Sequence, residues 1–385
     1  MSVLLPGSTI GVLGGGQLGR MLALAARPMG YHLHTLDPDP SCAARHIVER
    51  CVAGALDDPD AALAMARGCD VVTLEIEKVS IPVLDAVQTV APVRPGPHVL
   101  AVVQDRGRQK AWLRRHGFPL GPYQDAASAA ELQAAIAHFG GARCFVKSNH
   151  GGYDGRGQVV AHHPHEADAA WTELGQAPVV VERAVDLQAE ISVMVARRPS
   201  GPMAVFPVAL NHHEDRVLAT SVLPAPVPPE VAQRAVELGL AIAEQLDVVG
   251  LLAIELFLTT SGEVLVNELA PRPHNSFHAT EVACATSQFE QGVRAVCDLP
   301  LGSTEVLRPA AIHNLLGEVW LGPHPPRWDA ALALPGVRLH LYGKRGARPG
   351  RKMGHLSATG PTPEEAVRRV VEATRRLTQD PPENR

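Results

Sequence analysis

The sequence predicts a mixed α/β and α+β protein, with a parallel-sheet domain at the N-terminus, a central region of antiparallel hairpins and a small C-terminal domain of short strands. Three observations predict it. Strand and helix patterns alternate over residues 1–103, as in a sheet with crossover helices. A strand ending at Lys147 runs into the glycine-rich segment Gly151–Gln158. Two strand candidates, Gly250–Thr259 and Val264–Glu268, flank the turn-forming Thr260-Ser261-Gly262-Glu263.

The N-terminal elements follow in order. Ser8–Leu13 is strand-like and leads into Gly14-Gly15-Gly16-Gln17-Leu18-Gly19, which satisfies G-x-G-x-x-G. Leu18, Met21, Leu22 and Ala25 then form a helical apolar face that Pro28 and Gly30 end. A second strand, His32–Leu36, stops at Asp37, and a third, Asp70–Ile76, carries Glu75 beside Glu77. Alone this is a dinucleotide fingerprint. It specifies a strand, a turn and a helix N-terminus that suits an anion, without specifying which one.

The central region carries more chemistry. In G-G-Y-D-G-R-G-Q the glycines allow backbone N–H groups close to an anion, and Lys147 supplies charge. The pattern is not G-x-x-x-x-G-K-[ST], so it is not a P-loop. Val179–Val181 reads as a buried-strand run; as an edge strand it would offer, through its continuation Glu182–Val185, free backbone groups to an adenine, with Glu190 placed for ribose hydroxyls. If Ser261-Gly262 is a two-residue hairpin loop, Thr260 pairs with Glu263, Leu258 with Leu265 and Glu255 with Glu268. The two glutamates then face each other among apolar neighbours, well buried. Such a pair needs a shared proton or a cation, and oxygen-only ligands suit Mg²⁺.

Composition narrows the partners. The 385 residues are 46% hydrophobic and 19% charged, with net charge −5, which gives no general nucleic-acid footprint. No apolar run approaches the ~18 residues of a membrane span. A glycine loop reached by Gly14 leaves no room for a signal peptide, and six cysteines without a C-x-x-C pair read as reduced cytoplasmic thiols. His162, His163 and His165 read as a surface turn. Lys344–His355 holds five Lys or Arg residues and no acid, in a chain that is net negative.

The order of strand-lysine, glycine loop, strand-glutamate and hairpin glutamates resembles the ATP-grasp superfamily. More narrowly, G-G-G-Q-L-G-R-M (14–21), Q-D-R-x-x-Q-K (104–110), G-G-Y-D-G-R-G-Q (151–158), N-E-L-A-P-R-P-H-N-S (267–276), T-S-Q-F-E-Q (286–291) and A-R-P-G-R-K-M-G-H (347–355) resemble the N5-carboxyaminoimidazole ribonucleotide synthetases of purine biosynthesis. The resemblance implies an ATP-grasp fold, and composition and motif positions cut the chain into a Rossmann-like N-terminal domain (1–103), an ATP-grasp domain (104–300, lid lobe about 120–185) and a C-terminal domain (301–385). It implies ATP contacts at Arg106, Lys147, Tyr153, Asp154, Gly155, Arg156, Gly157, Gln158, Val159, Glu182, Arg183, Ala184, Val185, Glu190, His213, Asn267 and Glu268, with Mg²⁺ on Glu255 and Glu268. It places the ribonucleotide against Gln17, Leu18, Glu75, Arg156, His274, Asn275, Lys344, Arg351 and Lys352, and catalysis on Asp154, Arg272, Lys352 and Glu75. The spare Gly14–Gly19 helix N-terminus would serve that ribonucleotide. The implied reaction uses ATP, Mg²⁺ and bicarbonate to carboxylate 5-aminoimidazole ribonucleotide through carboxyphosphate, in a cytoplasmic homodimer. Two departures from the family pattern stand out: Lys78 where asparagine is common, and Phe277 where glycine is usual, which would crowd the substrate loop. The alternatives are an enzyme like formate-dependent glycinamide ribonucleotide transformylase and, further off, an NAD-binding dehydrogenase or a nucleotide sensor.

Overall fold

The computed structural model describes residues 3–152 and 157–379. Its N-terminal sheet contains β1 (Thr9–Leu13), β2 (His32–Asp37), β3 (Arg50–Ala53) and β4 (Val71–Leu74), all parallel in the order β3-β2-β1-β4. β1 and β4 are almost wholly buried, as expected of parallel strands covered on both faces. The cover comes from α1 (Gln17–Ala26), α2 (Pro59–Ala66) and α3 (Ile81–Gln88). A single 3₁₀ turn, Arg27–Met29, ends α1 at Gly30, whose φ of +82° is left-handed. α4 (Pro97–Val103) and α5 (Arg106–Arg115) lead out of this layer, and Asp105 caps α5 by accepting from Arg108 N at 2.7 Å.

A second, four-stranded sheet follows. It is built from β5 (Tyr123–Ala126), α6 (Ala129–His138), β6 (Cys144–Ser148), β7 (Gln158–Ala161), α7 (Ala167–Glu173) and β8 (Val179–Arg183), with strand order β5-β8-β6-β7. Two expectations change here. Lys147 lies within β6, opposite Gln158 and Val180, and does not close it. β8 is no edge strand: β5 and β6 flank it, so its ladder is closed on both sides. Only the chain after its end is open, and there Ala184 N is already bonded to Arg143 O at 2.8 Å.

The remaining chain builds one nine-stranded sheet: β9 (Leu187–Arg197), β10 (Met203–Val205), β11 (Ala209–Glu214), β12 (Val217–Leu223), β13 (Gly250–Thr259), β14 (Val264–Ala270), β15 (Ala310–Leu316), β16 (Val337–Leu341) and β17 (Lys352–Thr359). The path is β14-β13-β9-β11-β12-β15-β17-β16, with β10 beside β9. The last three strands therefore extend the central sheet through the β12–β15 pairing. α8 (Pro229–Gln245) lays an apolar stripe, including Leu238 and Ile242, into the main core. α9 (Thr280–Ala283) packs on β15 and β17 and α10 (Gln288–Val296) on α1 of the N-terminal layer, while α11 (Glu318–Leu321) and α12 (Trp328–Leu332) precede the final hairpin. α13 (Pro363–Thr378) buries Ala366, Val370, Ala373 and Leu377 against β15 and β17.

The β13–β14 hairpin corrects the expected register. Its loop has three residues, Thr260-Ser261-Gly262, closed by Thr259 N to Glu263 O at 2.9 Å, with Gly262 at φ +86°. Leu258 therefore pairs with Val264, not Leu265. A bulge at Asn267 then restores the offset, and Glu255 pairs with Glu268 as expected. Phe277 does not crowd the substrate loop: it is fully buried in the core, its ring 6.1 Å from that of Phe206.

Candidate active site

A cleft of about 1350 Å³ lies between the three sheets and collects most of the charged residues singled out above. At its floor are Glu255 and Glu268. They face the cleft and not the core, so their side chains are 24% and 47% exposed, less buried than the apolar strand pattern suggested. Burial of its carboxyl, then the charge of Glu268, pushes Glu255 up to about 7. The pair thus holds a proton near neutrality, or it holds a cation in the proton's place. Two facing carboxylates with no soft donor between them fit Mg²⁺. The bulge turns Asn267 toward the same space. Gln109 fixes the strand behind them by accepting from Leu269 N at 3.1 Å.

Basic groups converge from α5 and β6. Arg106 Nη2 is 3.5 Å from Glu268 Oε2, and its Nη1 donates to Ser148 O at 2.6 Å. Glu182 is held between Lys147 Nζ at 2.7 Å and Lys110 Nζ at 2.9 Å, all three groups being nearly buried. Burial alone would raise the Glu182 carboxyl; Lys147 and then Lys110 outweigh it and pull it down to about 2. Lys110 moves down as well, because its own desolvation exceeds the attraction of Glu182. Lys110 was missed as a site residue. The sequence did hold its signal, since it ends the Q-D-R-x-x-Q-K motif. Farther along the floor, Glu190 Oε2 meets His213 Nδ1 at 2.9 Å, and Glu190 holds that imidazole above its usual range against the opposing effect of burial.

Other expected residues divide. Gly157, Gln158, Arg183, Ala184 and Val185 line the cleft, whereas Val159 packs on the small sheet's core. Tyr153, Asp154, Gly155 and Arg156 lie outside the described residues. Asn275 exchanges amide hydrogen bonds with Asn314 at 3.1 and 2.8 Å, so its side chain is committed within the protein. His274 accepts at Nδ1 from Ser276 N, which leaves the proton on Nε2 to donate to Glu255 Oε1 at 3.2 Å. Burial, then Arg272, keeps His274 neutral. Arg272 Nε is bound to Glu77 Oε1 at 2.7 Å. Gln288, another residue without an assigned role at the sequence level, grips the His274 backbone: its Oε1 accepts from His274 N at 2.8 Å and its Nε2 donates to His274 O at 2.9 Å.

The glycine turn of α1 receives a correction. Its anion is a protein carboxylate: Glu75 accepts from Gly16 N at 2.6 Å and Gly19 N at 2.8 Å, and Asp37 accepts from Gly15 N at 2.7 Å. A Cβ at Gly16 would lie 2.5 Å from Glu75 Oε1, which is why glycine stands there. The helix N-terminus is not spare for a phosphate, and Asp37 is engaged where a dinucleotide ribose would need it. Gln17, Leu18 and Glu75 still border the cleft. Lys344, Arg348, Arg351 and Lys352 line it as well. Lys344 Nζ donates to Lys352 O at 2.8 Å, and Arg351 Nη1 to Arg345 O and Gly346 O at 2.5 and 2.8 Å, so the basic turn is braced by its own backbone.

Comparison with known proteins agrees with this layout. Three family models match in order: the ribonucleotide synthetase preATP-grasp domain over residues 7–104, the ATP-grasp domain over 111–289 and the phosphoribosylaminoimidazole carboxylase C-terminal domain over 310–369. The N5-carboxyaminoimidazole ribonucleotide synthase of Brucella melitensis is 41% identical over 358 residues, covering 92% of this chain and 97% of the relative. A crystal structure of an N5-carboxyaminoimidazole ribonucleotide synthetase in complex with ADP superposes with a TM-score of 0.91 at 38% identity, over 98% of this chain and 100% of that one. The Aspergillus clavatus enzyme in complex with ADP and 5-aminoimidazole ribonucleotide gives 0.88 at 30% identity, over 96% and 98%.

Proposed function

The chain belongs to the N5-carboxyaminoimidazole ribonucleotide synthase family, and from that premise we infer how its cleft carries out the reaction. It is an ATP-grasp ligase that uses ATP and bicarbonate to carboxylate the amine of 5-aminoimidazole ribonucleotide in purine biosynthesis. The observation that carries the assignment of its parts is the charge pattern of the cleft: a carboxylate pair flanked by Arg106, with Lys147 and Lys110 lining the same space, and a braced basic turn whose Lys352 is close enough for its charge to act on Glu255.

ATP lies along Lys147, Glu182–Val185, Glu190, His213 and Asn267 in this reading. Glu255 and Glu268 hold Mg²⁺, which would neutralise charge on the ATP phosphates. Arg106 and Lys147 place positive charge on the same phosphates. A bicarbonate oxygen attacks the γ-phosphorus, ADP leaves and carboxyphosphate forms. Arg272, oriented by Glu77, holds the carboxylate oxygens of bicarbonate and of its phosphorylated product through its remaining N–H donors. Carboxyphosphate breaks down to CO₂ and phosphate inside the cleft, and the substrate amine captures the CO₂ as a carbamate, giving its displaced proton to the phosphate just released. Exclusion of water keeps carboxyphosphate from being lost. His274 holds Glu255 in place, and Gln288 holds His274. The test of the whole reading is ADP release with bicarbonate plus 5-aminoimidazole ribonucleotide. Release with formate plus glycinamide ribonucleotide instead would assign the other ATP-grasp reaction.

Two further outcomes are expected. Arg351→Ala removes a charge-assisted phosphate contact of roughly 1.5–3 kcal/mol, which raises KM for the ribonucleotide about 10- to 150-fold and leaves MgATP binding unchanged. Weaker ATP binding with intact ribonucleotide affinity would move the basic turn to the nucleotide end. Gln288→Leu strands the His274 N–H and C=O in a buried setting, at roughly 1–3 kcal/mol each. Its KM for MgATP rises more than its KM for the ribonucleotide, because His274 positions Glu255, and Gln288→Glu, which keeps the acceptor for His274 N–H, recovers part of the loss. Equal changes in both constants would mark Gln288 as purely structural.

The finer cellular picture is also a proposal. Free cysteines at all six positions suit a reducing cytoplasm, and the family resemblance suggests a homodimer. Among the described residues no helix is long and apolar enough to cross a membrane.

A further inference from the structure

Away from the nucleotide end, the short helix α9 faces the β16–β17 hairpin. His340 and His355 sit directly opposite each other on that ladder, their rings stacked at 5.2 Å and 15°. Glu281 of α9 points its Oε2 at both: 3.6 Å from His340 Nδ1 and 3.9 Å from His355 Nε2. Neither contact is short enough to be a hydrogen bond. All three ligand atoms fall within 4.8 Å of one another. We propose that Glu281, His340 and His355 form a binding site for one Zn²⁺ ion, separate from the Mg²⁺ pair and unrelated to the ATP chemistry.

The geometry is close to what zinc needs. Bonds of about 2.1 Å in a tetrahedron place ligand atoms roughly 3.4 Å apart, so the three atoms must draw together and one imidazole must turn out of the stack to complete three of four positions. The fourth opens toward water, since the side chains of Glu281 and His340 are 30% and 22% exposed. His355 has the outer partner a zinc-binding imidazole usually has: its Nδ1 is 3.0 Å from the buried Tyr342 hydroxyl, which leaves Nε2 for the metal. A second observation points the same way. His278 stacks on His355 at 5.0 Å, and its Nε2 is buried with no partner, while Gln288 takes its Nδ1. With Nδ1 accepting from Gln288, that nitrogen is a buried N–H donor without an acceptor, on a ring stacked against His355, and it marks an unfilled polar site next to the cluster's innermost member. Two imidazoles and one carboxylate select Zn²⁺ over Mg²⁺, which prefers oxygen alone. The ion would fasten α9 to the last hairpin.

The test uses the untagged full chain, stripped with chelator and saturated with MgADP so that Glu255 and Glu268 are occupied. Titration with Co²⁺ should produce the intense visible bands of a four-coordinate ion at one equivalent per chain, and Zn²⁺ should displace them. Glu281→Gln and His340→Gln should each weaken Zn²⁺ binding by more than the roughly 10- to 100-fold that loss of an outer partner costs. Far-UV circular dichroism checks that each variant is folded, and two partly exposed positions keep the test alive if one is not. Absence of the bands, their survival in both variants, or their loss in Glu268→Gln overturns the proposal.

Discussion

Replacing Glu268 by glutamine lowers Mg²⁺-dependent ADP formation by roughly 10²–10³-fold, the rate equivalent of losing several kcal/mol of metal-based charge stabilisation. The protein stays folded, because the side chain is half-exposed in the cleft and supports no core. The same pair sets a pH dependence. Glu255 sits up at about 7, so below that pH a proton competes with Mg²⁺ for the site. Apparent Mg²⁺ affinity should climb as pH rises toward 7 and level off above it. The sign is consistent with stability: a carboxyl raised above its ordinary value stabilises the metal-free fold at low pH and loses that contribution as pH climbs through about 7. In Glu268→Gln the Glu255 carboxyl returns part of the way, because burial, the larger cause, remains. Calorimetric titration of Mg²⁺ against pH measures this, and a flat profile across neutrality would remove the pair from metal binding.

Glu182→Gln should cost more stability than any other single change in the cleft. It leaves Lys110 and Lys147 as buried ammonium groups with their shared partner gone, a loss of about 3–5 kcal/mol for a broken buried pair. For the intact chain, the drop of Glu182 from 4.5 to about 2 corresponds to about 3 kcal/mol, present above its ordinary value and lost as pH falls through 2. The net worth of the triad is smaller, since the depressed Lys110 opposes it. Urea unfolding from pH 5 down to pH 2 should show a steeper decline in the parent chain than in Glu182→Gln. Parallel declines would show that Glu182 carries no such stability.

Much of this cleft was legible because its chemistry is local in sequence. Lys147, Glu182, Glu255 and Glu268 each stand on a strand that announces itself by apolar pattern. The glutamate register came out right through two offsets that cancel: the loop is one residue longer than a two-residue turn, and the bulge at Asn267 compensates. No periodicity argument sees a bulge, because it is set by what the strand must present to the cleft. The edge reading of Val179–Val181 failed because β5, far upstream, pairs with β8, and pairing partners at long separation leave no mark on the segment itself. The glycine turn misled in a similar way. G-x-G-x-x-G reports the shape of a backbone and not the identity of the anion on it, and Glu75, 59 residues from Gly16, is that anion. Gln288 and Lys110 were in view as motif letters, but only their hydrogen bonds and ion pairs reveal what they hold.

The β12–β15 pairing bears on how such a chain is made. During synthesis β12 emerges with its outer ladder open, and the strand that covers it begins only at Ala310, with β17 and α13 following from Lys352 and Pro363. The central sheet thus waits for nearly the whole chain before its edge is protected. A ribosome stalled past Leu223 would display a long apolar strand to its neighbours on the polysome, and chaperone engagement should concentrate in that interval. The C-terminal strands are a late-arriving seal on the sheet that carries the carboxylates.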